Sequence, residues 1–249
     1  MQKKTWAERL RGIGFGAIIA AAIAFIIAGP GHRFGLFDVG VALKISMGAA
    51  LFALVAFLLS AIGLIMPTKT TLDPKTPRTL ATVIASGALL FHIFGVYQTG
   101  KSVPAIHDIS TDTVNPPAFV ALVDDRANAS NPVEYAGAET AAKQIAAYPD
   151  LATLRFENTS PSAVIGAATA VANDMGWTGI DTSPTDGRLE ATDTTFWYGY
   201  KDDVVVRAAR SGDGVVVDVR SKSRVGISDL GKNAARIRAF NEALSKAMN

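Results

Sequence analysis

The sequence predicts a membrane α-helical region of three spans followed by an α+β domain, in which an antiparallel β-meander packs against a long C-terminal helix. Three observations carry this prediction. Residues 12–97 are almost without acids, whereas 98–249 have the composition of an ordinary soluble domain. Three apolar runs long enough to cross a bilayer fall in the first part. In the second part, turn signals separate short strand-like runs, and a helical pattern closes the chain. The 249 residues, 18% of them charged and with a mean hydropathy of +0.25, leave room for one domain beside a membrane region.

The apolar runs are Gly12 to Gly29, Ile45 to Met66, and Leu80 to Tyr97, the last interrupted by Ser86 and His92. They divide the chain into a membrane region over 1–98, an extended linker over 99–118 and a domain over 119–249. Lys3, Lys4, Arg9 and Arg11 precede the first span, and Lys69, Lys75 and Arg78 lie between the second and third. The connection between the first two spans has only Arg33, His32 and a boundary Lys44. The positive-inside rule therefore puts the N-terminus in the cytoplasm of a bacterial inner membrane and, after three crossings, the domain in the periplasm. A cleaved signal peptide is the competing reading of the first run, and it leaves the domain on the same side. Gly12, Gly14 and Gly16 have no preceding strand, so they read as close-approach positions between membrane helices rather than a nucleotide loop. His92 is an intramembrane ionisable group, yet it stands alone near a span end, which is thin support for a proton relay.

The segment "TGKSVPAIHDISTDTVNPPAF" is extended by its prolines and polar residues. "ETAAKQIAAYP" reads as a short helix and "LATLRFEN" as a strand. The next helix has Ser160 as N-cap, Pro161 in its first turn and Gly176 beyond its end, with Val164, Ala168, Val171 and Met175 inward. The meander follows, with turns expected at Asp186–Gly187, at "YKDD" (200–203) and at "SGDG" (211–214). The last helix is expected to start near Ser228 or Asp229 and to bury Leu230, Ile237, Phe240 and Leu244. Arg238–Glu242 and Glu242–Lys246 are spaced for ion pairs along it.

These turns set Trp197 opposite Val206, Val206 opposite Val219 and Arg207 opposite Asp218. One face then collects Asp193, Thr195, Trp197, Val206, Ala208, Val217 and Val219, the seat of the terminal helix. The other collects Phe196, Tyr198, Val205, Arg207, Asp218 and Arg220. Phe196, Tyr198, Arg207 and Arg220 are the candidate binding residues, because aromatic and arginine side chains together compose contact surfaces. Another layer of the fold covering this face is the plainer alternative.

"EATDTTFWYGYKDDVVVR", "VDVRSKSRVGISDLGKNAARIRAF" and "IHDISTDT" resemble the bacterial family known as domain of unknown function 1499, over about residues 103–245. Members similar to this chain often carry preceding membrane spans. The resemblance implies no mechanism.

Chemistry is sparse. The chain has no cysteine, and His107 is the sole histidine of the domain. A hydrolase would have to use His107 with Asp193 or with Ser223, and no G-x-S-x-G elbow is present. His107, Asp108 and Asp112 are a thin metal set, better suited to local turns. No cofactor or metal is expected. Asp202 and Asp203 read as exposed turn-formers. Asp193, facing the core opposite Arg210, needs a cation; Arg210, Arg224 and Arg236, with Asp229, form the candidate polar network. A net charge of +2 argues against nucleic acid. The expected protein is a membrane-anchored envelope module that binds a lipid or partner protein. A hydrolase and a structural subunit of a membrane complex are the alternatives.

Overall fold

The structure, a computed structural model, describes residues 5–67 and 76–249. The chain divides into two compact units, Met1–Thr99 with Phe196–Gly199, and Gly100–Thr195 with Tyr200–Asn249. Lys3, Lys4, Lys69 and Lys75, used for the orientation, lie outside the described residues.

The first unit is built on α1 (Trp6–Arg33), α2 (Val39–Ile65) and α3 (Thr76–Ser102), all long and apolar enough to cross a membrane. Thr5 and Glu8 form a capping box on α1, and Asp38 caps α2 through the Val41 N–H. Where α1 meets α2, the buried side chains are small: Ala7, Gly14, Ala17 and Ala21 on one helix, Ala49, Ala53, Ala56 and Ser60 on the other. The large ones, such as Ile19, Ile23, Leu51 and Leu58, face outward. That is the inverse of a water-soluble helix pair. Lipid gives no reward for burying leucine, so close backbone packing decides the interface. Gly14 carries the expected close approach, since a Cβ there would stand 2.2 Å from Ser60 Oγ; Gly12 and Gly16 have nothing within 4 Å. Arg11 is buried, and its Nε donates to Gly63 O (2.9 Å) in the last turn of α2, where carbonyls carry partial negative charge.

The second unit is a six-stranded antiparallel sheet with helices. Its strands are β1 (Asp108–Ser110), β2 (Leu154–Glu157), β3 (Thr178–Ser183), β4 (Arg188–Thr194), β5 (Lys201–Ser211) and β6 (Gly214–Ser223). The order is β1-β6-β5-β4-β3, and β2 also pairs with β6. The stretch 99–118 starts as the end of α3 and contributes β1 to the sheet. Helices α4 (Gly137–Ala147), α5 (Pro161–Asp174) and α6 (Lys232–Met248) complete the unit. Val164, Ile165, Ala168 and Ala172 of α5 and Ile237, Phe240 and Leu244 of α6 are buried with Leu189, Val204, Val206, Val217 and Val219 in one core. The turn at Asp186–Gly187 demands glycine: Gly187 has φ +64°, and a Cβ would meet Ala208 O at 2.0 Å.

The pairing of β5 with β6 matches expectation, Arg207 facing Asp218 and Val206 facing Val219. The β4–β5 turn does not. Thr194 pairs with Lys201, and the loop is Thr195–Tyr200, closed by Thr195 N–H to Tyr200 O (2.9 Å) and by Tyr200 N–H to Thr195 Oγ1 (2.8 Å). Gly199, at φ +67°, supplies the left-handed residue. Lys201, Asp202 and Asp203 of the expected "YKDD" turn are strand, so Leu189 rather than Trp197 faces Val206. The tryptophan in the core is instead Trp177, stacked on Phe240 with centroids 5.2 Å apart. Leu230 precedes α6 with φ +55°, and Arg238 pairs with Asp150 instead of Glu242.

The α1–α2 packing makes a paired prediction. Gly14→Val should destabilise the protein in detergent by about 1–3 kcal/mol through overpacking. Gly16→Val, which meets open space, should leave the thermal midpoint unchanged.

Candidate functional site

Alternation along the strands gives the sheet two faces of opposite character. On the helix-packed face the valines end in a polar row, where Asp193 lies opposite Asp202 and Asp202 opposite Ser223. Two carboxylates side by side repel unless a cation lies between them. Arg236 of α6 is that cation, its Nη2 standing 2.7 Å from both Asp193 Oδ2 and Asp202 Oδ2. Its Nη1 also donates to Ser221 Oγ (3.1 Å). Asn233, one turn earlier, donates to His107 O and Ser223 Oγ. Asp229 accepts from the Gly231 and Asn233 N–H groups and so prepares the start of α6. Burial pushes the Asp229 carboxyl up, and those two N–H groups act against it.

The opposite face is a charged layer. Thr192, Asp203, Lys222 and Asp108 form one row across β4, β5, β6 and β1. Glu190, Val205, Arg220 and Ser110 form the next. Asp108 is fully buried and holds two cations: Arg220 through Nε (2.8 Å) and Nη2 (2.9 Å), and Lys222 through Nζ (2.9 Å). Asp203, also fully buried, receives Arg126 (2.6 Å), a two-pronged contact from Arg224 (2.9 and 2.8 Å) and the Thr192 hydroxyl (2.7 Å). Burial pushes the Lys222 ammonium down, with Asp108 opposing. The Tyr135 hydroxyl is pushed up to about 12, first by burial and then by the Asp108 charge.

Residues 111–135 cover this layer. Pro117 O and Val133 O accept from Arg220, and Glu134 O accepts from Lys222. The Phe119 ring lies beneath both Arg220 (5.0 Å) and Arg126 (5.5 Å). Glu190 fixes the cover, its oxygens accepting from the N–H groups of Val120 (2.8 Å), Ala121 (3.1 Å) and Leu122 (3.0 Å). That clamp turns Phe119 and Leu122 inward and leaves Val120 and Val123 exposed.

This arrangement corrects several expectations. Phe196, Tyr198, Arg207 and Arg220 do not share an accessible face. Arg220 is buried, and Arg207 is held by Asp112 (2.9 Å) and Asp218 (2.8 Å). Phe196 and Tyr198 sit in the loop and belong to the first unit. The plainer alternative of a covering layer describes the Arg207/Arg220 face. Asp202 and Asp203 are buried ion-pair partners because β5 begins one residue before them and points them to opposite faces. Asp193 has its cation in Arg236; Arg210 faces Val215 and is exposed. Of the candidate network, Asp193, Asp229 and Arg236 gather at the start of α6, while Arg224 serves Asp203 on the other face.

The hydrolase constellation is not assembled. His107 Nδ1 faces Ile227 O (3.4 Å), Ser223 Oγ accepts from Asn233 (3.1 Å), and Asp193 is engaged by Arg236. Burial pushes the His107 imidazole down. Asp112 accepts from the Val114 and Asn115 N–H groups, the local turn bonding expected of it. Among the described residues, no group of three His, Asp or Glu side chains is placed to hold a metal ion.

Arg126, Glu190 and Lys222 were not singled out by sequence. The charges at Asp218, Arg220 and Lys222, two apart on one strand, are the signal that β6 needs a charged cover.

Losing one partner of a buried pair leaves the other charge uncompensated. Asp108→Asn should therefore cost about 3–5 kcal/mol in chemical denaturation. Asp181→Asn, which removes an exposed partner 3.7 Å from Arg188, should change little.

A family model described as a protein of unknown function, DUF1499, matches residues 108–244. No curated protein matches the chain. The match begins at the aspartate that anchors the charged layer and ends in α6 at Leu244 of the core. Because it spans more than half of the 249 residues and the whole sheet, this chain belongs to the DUF1499 family.

Proposed function

We propose that this protein is a membrane-anchored interaction module. Its N-terminus is cytoplasmic, and its α+β domain lies in the periplasm of a bacterial inner membrane, where it binds an envelope lipid or a partner protein. The observation that carries this reading is the internal use of the charged side chains. Asp108, Asp193, Asp202 and Asp203 each engage an arginine or lysine within the fold. Such a layer supports a rigid scaffold better than a reaction centre, which needs groups turned towards substrate.

The exposed apolar positions supply the surface. Val120 (56% exposed) and Val123 (40% exposed) stand on the segment that Glu190 clamps. A fixed apolar patch gives affinity with little ordering cost.

The basic residues before the first span and after the second, with few between the two, support the orientation. The loop Phe196–Gly199 follows all three spans in sequence, and Arg33 Nη1 donates to Phe196 O (2.6 Å) at the end of α1, which supports an odd number of crossings before that loop.

Two measurements test the reading. The chain has no cysteine, so single-cysteine variants label cleanly. With an impermeant maleimide on spheroplasts, Asp213→Cys should label directly and Lys75→Cys only after lysis; the reverse pattern overturns the orientation. Recovery of the intact protein from membranes, with lipids and proteins identified by mass spectrometry, should yield a bound species that Val120→Asp/Val123→Asp loses. Unchanged recovery removes that patch from the proposal.

A further inference from the structure

The first unit presents a second apolar surface, at the end of the α1–α2 pair. The connection between these helices is short and fully ordered by its own bonds. Gly35 adopts φ +70°, Gly35 N–H donates to His32 O (3.0 Å) and Leu36 N–H to Gly31 O (2.8 Å). This is a glycine helix cap of the Schellman type. Phe37 turns inward, and a Cβ on Gly31 would meet its ring at 2.1 Å. Phe34 and Leu36 turn outward, 75% and 76% exposed, held there by a rigid cap.

The Phe196–Gly199 loop joins the same end. Trp197 stacks on Phe25 (centroids 5.3 Å, 23°) and fills the notch at Gly29, where a Cβ would lie 2.3 Å from its indole. His32 Nδ1 lies 2.6 Å from Tyr198 O, and Tyr198 Oη lies 2.8 Å from Ser46 Oγ on α2. The Arg33 guanidinium lies 5.9 Å from the Phe196 ring centroid. Phe196 itself is 84% exposed.

A phenylalanine so exposed on a fixed loop is costly in water unless something apolar meets it. What meets it follows from continuity. Ile19, Ile23, Ile26 and Ile27 are exposed along one face of α1, Phe34 follows Ile27 at helical spacing on that face, and Leu36 is exposed just beyond the cap. Aromatic side chains concentrate where a span meets the headgroups, their rings among the upper acyl chains and neighbouring arginines at the phosphates.

We propose that Phe196, Phe34 and Leu36 form one interfacial contact that sits in the headgroup–acyl boundary of the bilayer, with Arg33 at phosphate level. The inference rests on the reading that the helices cross a bilayer, and it adds the loop between β4 and β5 to the lipid-facing surface.

The test uses the full chain in vesicles of phosphatidylethanolamine and phosphatidylglycerol. Single cysteines replace Phe196, Phe34, Leu36 and, within the span, Ile19, and each carries an environment-sensitive nitrobenzoxadiazole label. Lipids with a doxyl group high on the acyl chain should quench the labels at 196, 34 and 36 to about half their intensity, and iodide should quench them far less than the label on glutathione. A label at 196 that behaves like the glutathione conjugate, while Ile19→Cys is quenched by lipid, overturns the proposal and leaves the membrane reading standing. If Ile19→Cys also escapes lipid quenching, both fall. Phe196→Trp, assayed by the same doxyl quenching of indole emission against the unsubstituted protein, should add a lipid-quenched component; the absence of that component overturns the proposal without any cysteine label.

Discussion

The Asp108 carboxylate is the constraint on which the domain depends. It lies a few residues past the end of α3 and holds Arg220 and Lys222 of the central strand β6. A sheet face with charges at Asp218, Arg220 and Lys222 cannot be closed by apolar side chains, because unpaired charge in the interior costs several kcal/mol per ion. It has to be closed by a segment of complementary charge and carbonyl groups. The chain meets that need with the stretch between β1 and α4, which brings Arg126 to Asp203 and backbone carbonyls to Arg220 and Lys222. The end of the expected tether, from Thr111, together with the residues up to Tyr135, is therefore the second wall of the domain.

Such a layer does more for specificity than for net stability. Paired buried charges roughly offset their own desolvation, so an apolar face would serve stability as well. A slip of one residue in β6, however, would turn Arg220 and Lys222 into the valine core and the valines into the charged layer. The cost of that error fixes the register of the sheet on both faces at once. Arg236 has the same role on the opposite face, since Asp193 and Asp202 tolerate each other only with its guanidinium between them.

Much of this was legible in the sequence, for local reasons. The "SGDG" turn and the alternating valines set the β5–β6 register, including Arg207 opposite Asp218. Ser160, Pro161 and Gly176 marked the limits of α5. The small residues of the first helices marked close packing, and Gly14 carries it. The failures were long-range. "YKDD" has the composition of a turn, yet both aspartates are strand residues whose partners, Arg126 and Arg236, lie far away in the chain. Nothing near Trp197 signals that its partner is a notch at Gly29. Asp193 meets Arg236 rather than Arg210 because the β4–β5 turn lies earlier than its composition suggests, which shifts the register.

The aromatic stretch that looks so unusual obeys two solvents in succession. Through Thr194 it follows the rules of a water-soluble sheet, with charged and apolar residues alternating between faces. From Phe196 to Gly199 it follows those of a membrane helix pair: the backbone bonds to α1, the indole enters a glycine notch, and a large apolar ring stays outside. From Lys201 the sheet resumes. A periodicity argument assumes one solvent throughout, so it assigned Trp197 to the nearest apolar face. The burial pattern of the first unit, small inside and large outside, is the physical reason that assignment failed.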